Sequence, residues 1–223
     1  MGCIGWFSTT VDMNKNRLEN FSDGVFSIAV TLLILNVHIP DTKGLANHQL
    51  NRALFGILPH LFTFAFSFLV IGVFWVAHHR IFSFVKILDS TLLWLNIFYL
   101  LFIAVIPLTA AILSENPFLP TGILLYTITL LVIALMHFIV LEYILRNKTL
   151  KHEALTRDIY RSAQRTAVVG PICYVLAAAA SFVSAYISLA FIIGAMVFYI
   201  FFSGKNKVEE KMIIVAKKEI AGV

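Results

Sequence analysis

Six long apolar segments, separated by short polar ones, follow one another along this chain of 223 residues. The first has 19 residues, and a helix of that length reaches about 28 Å, close to the roughly 30 Å hydrocarbon core of a bilayer. The pattern predicts an all-α polytopic membrane protein with six transmembrane helices. The predicted spans cover about 21–39, 54–78, 91–113, 119–145, 166–183 and 186–202. We expect residues 1–204 to form one membrane domain, followed by a short basic tail at 205–223.

Prolines and short joins add detail to this plan. Pro59 lies in the first turns of the second span, and Pro107 lies inside the third. A proline removes one backbone donor from a helix, so Pro107 predicts a kink. Spans five and six are short, and the segment between them is very short and uncharged. They are expected to form a tight helical hairpin, and a re-entrant pair stays an alternative.

Composition and charge agree with a membrane location. Apolar residues make up 60% of the chain and charged residues 13%, whereas soluble domains average about 45–50% and 25%. The net charge of +5 does not require a nucleic-acid partner, because Lys and Arg concentrate in the cytoplasmic loops of membrane proteins. They lie here in the N-terminal segment, the 80–90 loop, the 146–165 loop and the tail. This alternation predicts that both termini are cytoplasmic.

The first predicted helix has two distinguishable faces when its residues are placed at about 100° intervals. One face, which we call the aliphatic stripe, holds Gly24, Ile28, Thr31, Leu32 and Leu35. The opposite side is expected to hold Asp23, Ser27, Val30 and Ile34. Taken alone, such a stripe is typical of ordinary helix packing. The acid is more informative, because a charged side chain inside a membrane is costly and usually has a partner or a function.

Cysteines and histidines do not predict a metal site. Cys3 precedes the first span and Cys173 lies inside the fifth, so neither a disulfide framework nor a cysteine metal pair is expected. His78 and His79 are adjacent, and adjacent helical side chains point about 100° apart, so they rarely share one metal ion. We therefore expect no metal site and no cofactor.

Two short motifs carry a family resemblance. Arg17-x-x-x-Phe21-Ser22-Asp23 opens the first span, and Trp75-x-x-His78-His79 closes the second. Together they resemble the transmembrane protein 175 family, the endolysosomal potassium channels of animals and their shorter prokaryotic relatives. The resemblance implies a homotetramer in a prokaryotic cell membrane, with the first helix of each chain lining a central pore. It implies a preference for potassium over sodium, without the Thr-Val-Gly-Tyr-Gly filter that this sequence also lacks.

The resemblance also assigns roles to individual residues. Ile28 would form the pore constriction, with Leu32 and Leu35 as further constricting positions and Thr31 contributing selectivity. A permeant potassium ion would pass close to Ile28 and Thr31. For Asp23 it supplies four candidate partners, namely Arg17, Trp75, His78 and His79. Their expected role is to hold the first helix at a fixed angle. The simpler interpretation of Asp23 is an interfacial carboxylate solvated by water.

Two other function classes deserve comparison. An intramembrane hydrolase would need a nucleophile, a base and an orienting group, and Ser22, His78 or His79, and Asp23 supply those residue types. Ser22 and Asp23 are adjacent on one helix, however, and no nucleophile elbow surrounds Ser22, so we expect no enzyme. A secondary transporter of ions or small solutes is the stronger alternative, although only Pro107 interrupts a span centrally and no acid lies at mid-membrane.

Overall fold

The computed structural model describes residues 15–38, 40–147, 149–150 and 157–201, except for the side chains of 157–160. Within these ranges the chain forms six α-helices and one short 3-10 segment. The α-helices are α1 (Lys15–Leu32), α2 (Asn47–Phe82), α3 (Ser90–Glu115), α4 (Pro120–Arg146), α5 (Arg157–Ala180) and α6 (Ala185–Phe201), and the 3-10 segment is Leu33–Asn36. The predicted tail at 205–223 lies outside the described residues.

Length and composition make most of these helices suitable for crossing a bilayer. Five helical segments, including α1 with its 3-10 extension, are long and apolar enough to span the hydrocarbon core, and α6 is a shorter apolar helix of 17 residues. At about 1.5 Å per residue α6 reaches about 26 Å. The predicted all-α, multi-pass membrane fold is thereby confirmed.

The second helix is longer than its predicted span. It runs through 36 residues, or about 54 Å, instead of stopping at the edges of the apolar run. Polar residues before position 54 remain helical because backbone hydrogen bonds also form outside a membrane, and the Gln49 side chain caps this end by accepting a bond from the Ala46 N–H (3.0 Å). Pro59 consequently lies about three turns inside the helix, although it is only five residues after the start of the predicted span.

The first helix begins earlier and ends differently from the prediction. It begins at Lys15, whose side chain forms an ion pair with Glu19 at 3.8 Å. After Leu32 it tightens into the 3-10 segment. Residues three apart eclipse each other in a 3-10 helix, whereas they are about 60° apart in an α-helix. Leu35 therefore stands directly beyond Leu32, and the Asn36 amide fixes the segment by donating to the Pro107 carbonyl (2.9 Å).

The third helix occupies the centre of the bundle. It contacts α1, α2 and α4, and α4, α5 and α6 then pack in chain order. The larger apolar core joins all six helices, while a second one lies around the α2–α3 connection and the end of α4. At that end Asp89 accepts hydrogen bonds from the Leu92 N–H (2.8 Å) and the Tyr143 hydroxyl (2.5 Å). This carboxylate caps α3 and links it to α4.

A tyrosine joins the last two helices at the Gly170-Pro171 step of α5. The Tyr199 hydroxyl accepts a hydrogen bond from the Gly170 N–H (3.0 Å) and donates one to the Thr166 carbonyl (2.9 Å). A side chain placed on Gly170 would meet this hydroxyl oxygen at 2.9 Å. The absence of a Cβ at position 170 therefore allows α6 to be pinned to the α5 backbone.

Candidate functional site: the three faces of the first helix

One face of α1 packs against the rest of the chain. Its buried residues, at three- and four-residue spacing, are Leu18, Ser22, Phe26 and Ala29, and Leu33 continues the face into the 3-10 segment. They face α2 and α3, the helices that α1 contacts. This face determines which residues of α1 remain uncovered by the same chain.

The aliphatic stripe is uncovered along its length. Ile28 is 60% exposed and Leu35 is 70% exposed, and the residues Gly24, Thr31 and Leu32 are exposed as well. At about 100° per residue the stripe lies roughly opposite the buried face. An apolar face left open within one chain of a membrane protein must be covered by lipid or by another copy, or must line a pore.

The acidic residue lies on a third face, which corrects one prediction. Asp23 and Ser27 are exposed and lie about a third of a turn from the stripe, not opposite to it. The position opposite to the stripe is occupied by Phe26 and the other buried residues. The helical projection of the sequence correctly placed Asp23 off the aliphatic stripe. It could not show that the side of α1 opposite to the stripe packs into the core of the protein.

Of the four candidate partners of Asp23, Trp75 donates a hydrogen bond to it. The Trp75 indole N–H donates to its carboxylate at 2.8 Å. His79 supports Trp75, because the two rings stack with centroids 6.2 Å apart and planes inclined at 27°. The Arg17 side chain is exposed, as is that of Phe21. The geometry thus joins α1 to α2 through Asp23 and Trp75.

A second polar connection begins at the neighbouring residue. The Asn96 amide of α3 donates to the Ser22 hydroxyl (3.0 Å), and its oxygen lies 2.7 Å from Nε2 of His78. Ser22 in turn donates to the Leu18 carbonyl at 2.9 Å. All three side chains are buried, so they satisfy one another where water is absent. Residues 22 and 23 therefore attach α1 to two different helices.

Asn96 was not among the predicted site residues. An amide inside an apolar span is a recognisable signal, since buried polar groups in membranes need partners. The sequence does not show which span it faces, however. Asn36, which binds the Pro107 carbonyl, was missed for the same reason.

The two adjacent histidines diverge, as the helical geometry predicted. His78 lies between aromatic rings, with centroids 4.4 Å from Phe82 and 5.5 Å from both Phe26 and Tyr99. His79 is exposed and stacks on Trp75. Within the described residues no three His, Cys, Asp or Glu side chains converge in a group that would hold a metal ion.

The hydroxyl of Thr31 is oriented by its own helix. Its Oγ1 donates to the Ile28 carbonyl at 3.0 Å, and the side chain is exposed on the stripe. Because the proton is used inside the helix, the oxygen lone pairs remain available on the uncovered side. Such an oxygen can face a cation.

The fold and this site define the class of protein. It is a multi-pass helical membrane protein whose first helix has an exposed apolar stripe and is hydrogen-bonded to α2 and α3. Residues 17–107 match the family described as "Endosomal/lysosomal potassium channel TMEM175". A potassium channel of Chryseobacterium sp. is 30% identical over 179 residues, covering 80% of this chain and 88% of that protein. The human endosomal/lysosomal proton channel TMEM175 is 28% identical over 179 residues, covering 80% of this chain and 35% of the human protein.

A solved structure gives the same result for the fold. The crystal structure of a lysosomal potassium-selective channel TMEM175 homolog from Chamaesiphon minutus superimposes with a TM-score of 0.73 at 29% identity, covering 83% of this chain and 96% of that one. The chain belongs to the TMEM175 family. The resemblance carried by the Arg17-to-Asp23 motif and the Trp75-to-His79 segment is thereby confirmed, and the chain is a prokaryotic member of the family.

Proposed function

We propose that this chain is the subunit of a potassium-preferring cation channel in which four copies of α1 surround a central axis. The observation that carries the proposal is the exposed aliphatic stripe lying opposite the buried face of α1. A helix that packs outward on its own subunit through one face can turn the opposite face to an axis. Membership of a family whose bacterial relatives are named potassium channels supports the same function.

The aliphatic residues would form the gate. Four copies of Ile28, Leu32 and Leu35 around an axis make narrow apolar rings, and such constrictions gate by dewetting. An ion passes when a ring widens enough to hold water. The gate therefore needs no binding group at the constriction itself, and the conduction path needs no cofactor, since potassium is the transported ion.

Thr31 would supply the preference among cations. Four exposed hydroxyl oxygens, each with its proton committed to the Ile28 carbonyl, can replace part of the hydration shell of a passing ion. Potassium gives up its water more readily than sodium does, so partial dehydration favours potassium. We assign Thr31 as the selectivity residue on this basis.

The remaining motif residues would hold α1 in place. The Asp23–Trp75 bond and the Ser22–Asn96–His78 chain fix the angle of the pore helix, with Arg17, Phe21 and His79 around them. Ser22 donates to a backbone carbonyl, and its hydroxyl is paired with Asn96 instead of a histidine, which supports assigning no enzymatic role. The homotetramer would lie in the cell membrane of a prokaryote with both termini in the cytoplasm, without a nucleic-acid partner.

Replacing the central aliphatic residue tests the gate. Ile28→Asn places an amide ring at the constriction and should raise single-channel conductance or open probability in planar bilayers, because the ring then wets more easily. Ile172→Asn is the matched control, since Ile172 is similarly exposed but lies on α5. Unaltered conductance, open probability and selectivity in Ile28→Asn would refute the gate.

Removing one hydroxyl tests selectivity separately. Thr31→Val keeps the shape of the side chain and should reduce the potassium preference, measured as the reversal potential between potassium and sodium solutions. Thr31→Ser retains the oxygen and should preserve the preference. Discrete current steps without a coupling ion distinguish the channel from a secondary transporter. An unchanged reversal potential in Thr31→Val would remove Thr31 from the selectivity role.

A further inference from the structure

The outward face of α5 changes from basic to apolar along the helix. Residues 161, 165, 168, 172, 175 and 176 are all exposed and follow helical spacing. We call them the α5 outer face: Arg161, Arg165, Val168, Ile172, Val175 and Leu176. Ile172 lies seven positions after Arg165, which corresponds to about 10 Å along the helix. The two arginines thus lie at the level expected for lipid headgroups when the apolar side chains of the same face lie among the acyl chains.

This face is turned away from α1. The buried side of α5 is formed by Ala167, Gly170, Tyr174 and Ala177, and α5 packs mainly against α4 and α6, whereas α1 packs against α2 and α3. With α1 at a central axis, α5 lies toward the periphery of the assembly. The α5 outer face then meets the bilayer.

Glu142, an acidic residue in contact with this part of α5, is already engaged elsewhere. Glu142 of α4 accepts hydrogen bonds from Gln164 of α5 and from the Arg146 side chain (2.7 Å). Gln164 lies beside Arg165 in sequence but points about 100° away from it around the helix, toward Glu142 of α4. Glu142 therefore neutralises Arg146 and leaves Arg161 and Arg165 on the exposed side.

The surrounding sequence keeps a positive excess at this end of the bundle. Six basic residues lie in the 146–165 loop against Glu153 and Asp158. With Arg146 neutralised by Glu142 and both of these acids paired, three positive charges would remain. A pair of arginines beside an apolar helix face is complementary to an anionic phospholipid, which has a negatively charged headgroup and apolar acyl chains. Basic clusters at the cytoplasmic end of a membrane helix attract such lipids.

We propose that Arg161 and Arg165 bind the headgroup phosphate of an anionic phospholipid, whose acyl chains lie along Val168, Ile172 and Leu176. Arginine suits this role because its planar fork of donors matches phosphate oxygens. The site lies in the leaflet next to the 146–165 loop, which the charge pattern makes the cytoplasmic one. It is separate from the conduction path and does not depend on ion selectivity.

The test uses the full chain reconstituted in vesicles of phosphatidylcholine and phosphatidylglycerol in equal parts. Native mass spectrometry then counts the lipids that remain bound after extraction. A basic residue near a membrane surface contributes roughly a five-fold preference for an anionic lipid, so the pair should give roughly 30-fold. Arg161→Gln with Arg165→Gln should abolish the preference, whereas Arg161→Lys with Arg165→Lys should retain most of it.

Two controls make the result specific. Lys43→Gln with Arg52→Gln removes one charge from the connection before α2 and one from the second turn of α2, and it should leave phosphatidylglycerol retention unchanged. The single variants Arg161→Gln and Arg165→Gln, each expected to lose roughly five-fold, replace the double variant if it misfolds. Undiminished retention in the glutamine variants would overturn the site. If the glutamine variants formed a smaller oligomer but retained as much phosphatidylglycerol as the wild type, the proposal would also be overturned. The α5 outer face would then be an interface between copies of the chain.

Discussion

At the scale of single residues, α1 is held by two adjacent side chains that point to different helices. Ser22 is bound by Asn96 of α3, and Asp23 is bound by Trp75 of α2. One bond alone would leave a helix free to rotate about the point of attachment. Two bonds about 100° apart on the helix fix its rotation as well as its position. Together with the buried face of α1, this pair keeps the aliphatic stripe turned away from α2 and α3.

Removing the indole donor should loosen that arrangement. Trp75→Phe keeps an aromatic ring but leaves Asp23 without its donor, and a hydrogen bond of this kind contributes about 1 kcal/mol. We expect a smaller fraction of assembled protein and a lower melting temperature, measured by size-exclusion chromatography after heating. Asp23→Ala should have a larger effect of the same sign.

Trp94→Phe is the matched control for this change, because Trp94 is also an exposed tryptophan in a membrane helix. It should behave like the wild type. If Trp75→Phe and Asp23→Ala assembled and conducted normally, the attachment of α1 through Asp23 would be disproved.

The residue scale also shows what the sequence could and could not predict about the site. The motif indicated that Asp23 needs a partner and named four candidates, but choosing Trp75 required the relative tilt of two helices. Asn96 was missed altogether, because hydrogen-bonded partners 74 residues apart leave no trace in local spacing. A one-dimensional pattern defines the faces of a helix but not the neighbours that those faces meet.

At the scale of elements, α5 and α6 are joined by a bond to backbone atoms. The Tyr199 hydroxyl lies between the Gly170 N–H and the Thr166 carbonyl, directly before Pro171 in the interior of α5. Proline-containing helices commonly rely on a neighbouring side chain to satisfy such backbone groups. The pairing of these two helices therefore depends on the small size of residue 170.

Adding a methyl group at this point should separate the helices. Gly170→Ala would place its Cβ 2.9 Å from the Tyr199 oxygen, forcing the hydroxyl away from both backbone groups. We expect a loss of about 1–3 kcal/mol in stability, measured as a lower thermal midpoint in detergent. Tyr199→Phe should lose about 1 kcal/mol.

Gly194→Ala provides the comparison within α6. A Cβ there meets no atom within 4 Å, and alanine favours a helix over glycine, so this variant should be as stable as the wild type or more so. Equal destabilisation by Gly170→Ala and Gly194→Ala would show that the Tyr199 contact does not matter.

The ends of the elements were harder to predict than their number. Apolar run length identified six helices because the bilayer thickness sets a narrow range of lengths. It did not identify the polar turns of α2 before position 54, which are capped by Gln49, or those of α1 before position 21, where Lys15 and Glu19 form an ion pair. The 3-10 segment after Leu32 has no signal in the apolar pattern.

At the scale of the whole molecule, the proposed function depends on four copies meeting around one axis. Ile28→Cys, in a background with Cys3→Ser and Cys173→Ser, would then bring four thiols together. Soft metal ions bind such thiolate groups tightly, so cadmium should block the current, and a chelator should restore it. Ile172→Cys, on the α5 outer face, should be insensitive to cadmium.

Mixing chains adds a measure of stoichiometry. With equal amounts of Ile28→Cys and Cys-free chains, about one-sixteenth of tetramers would hold four thiols, against about one-quarter of dimers holding two. The fraction of tightly blocked current therefore counts the subunits around the axis. A block independent of mixing, or no block at all, would contradict a four-fold pathway lined by Ile28.

In the proposed channel, the tightened end of α1 has a consequence for the permeant ion. In the 3-10 segment Leu35 stands directly beyond Leu32, about 6 Å further on at roughly 2.0 Å per residue. That spacing equals roughly two water diameters. An ion that has lost solvent at the first leucine level reaches the second before a complete shell can reassemble, so the two levels would act as a single continuous dry barrier crossed in one step.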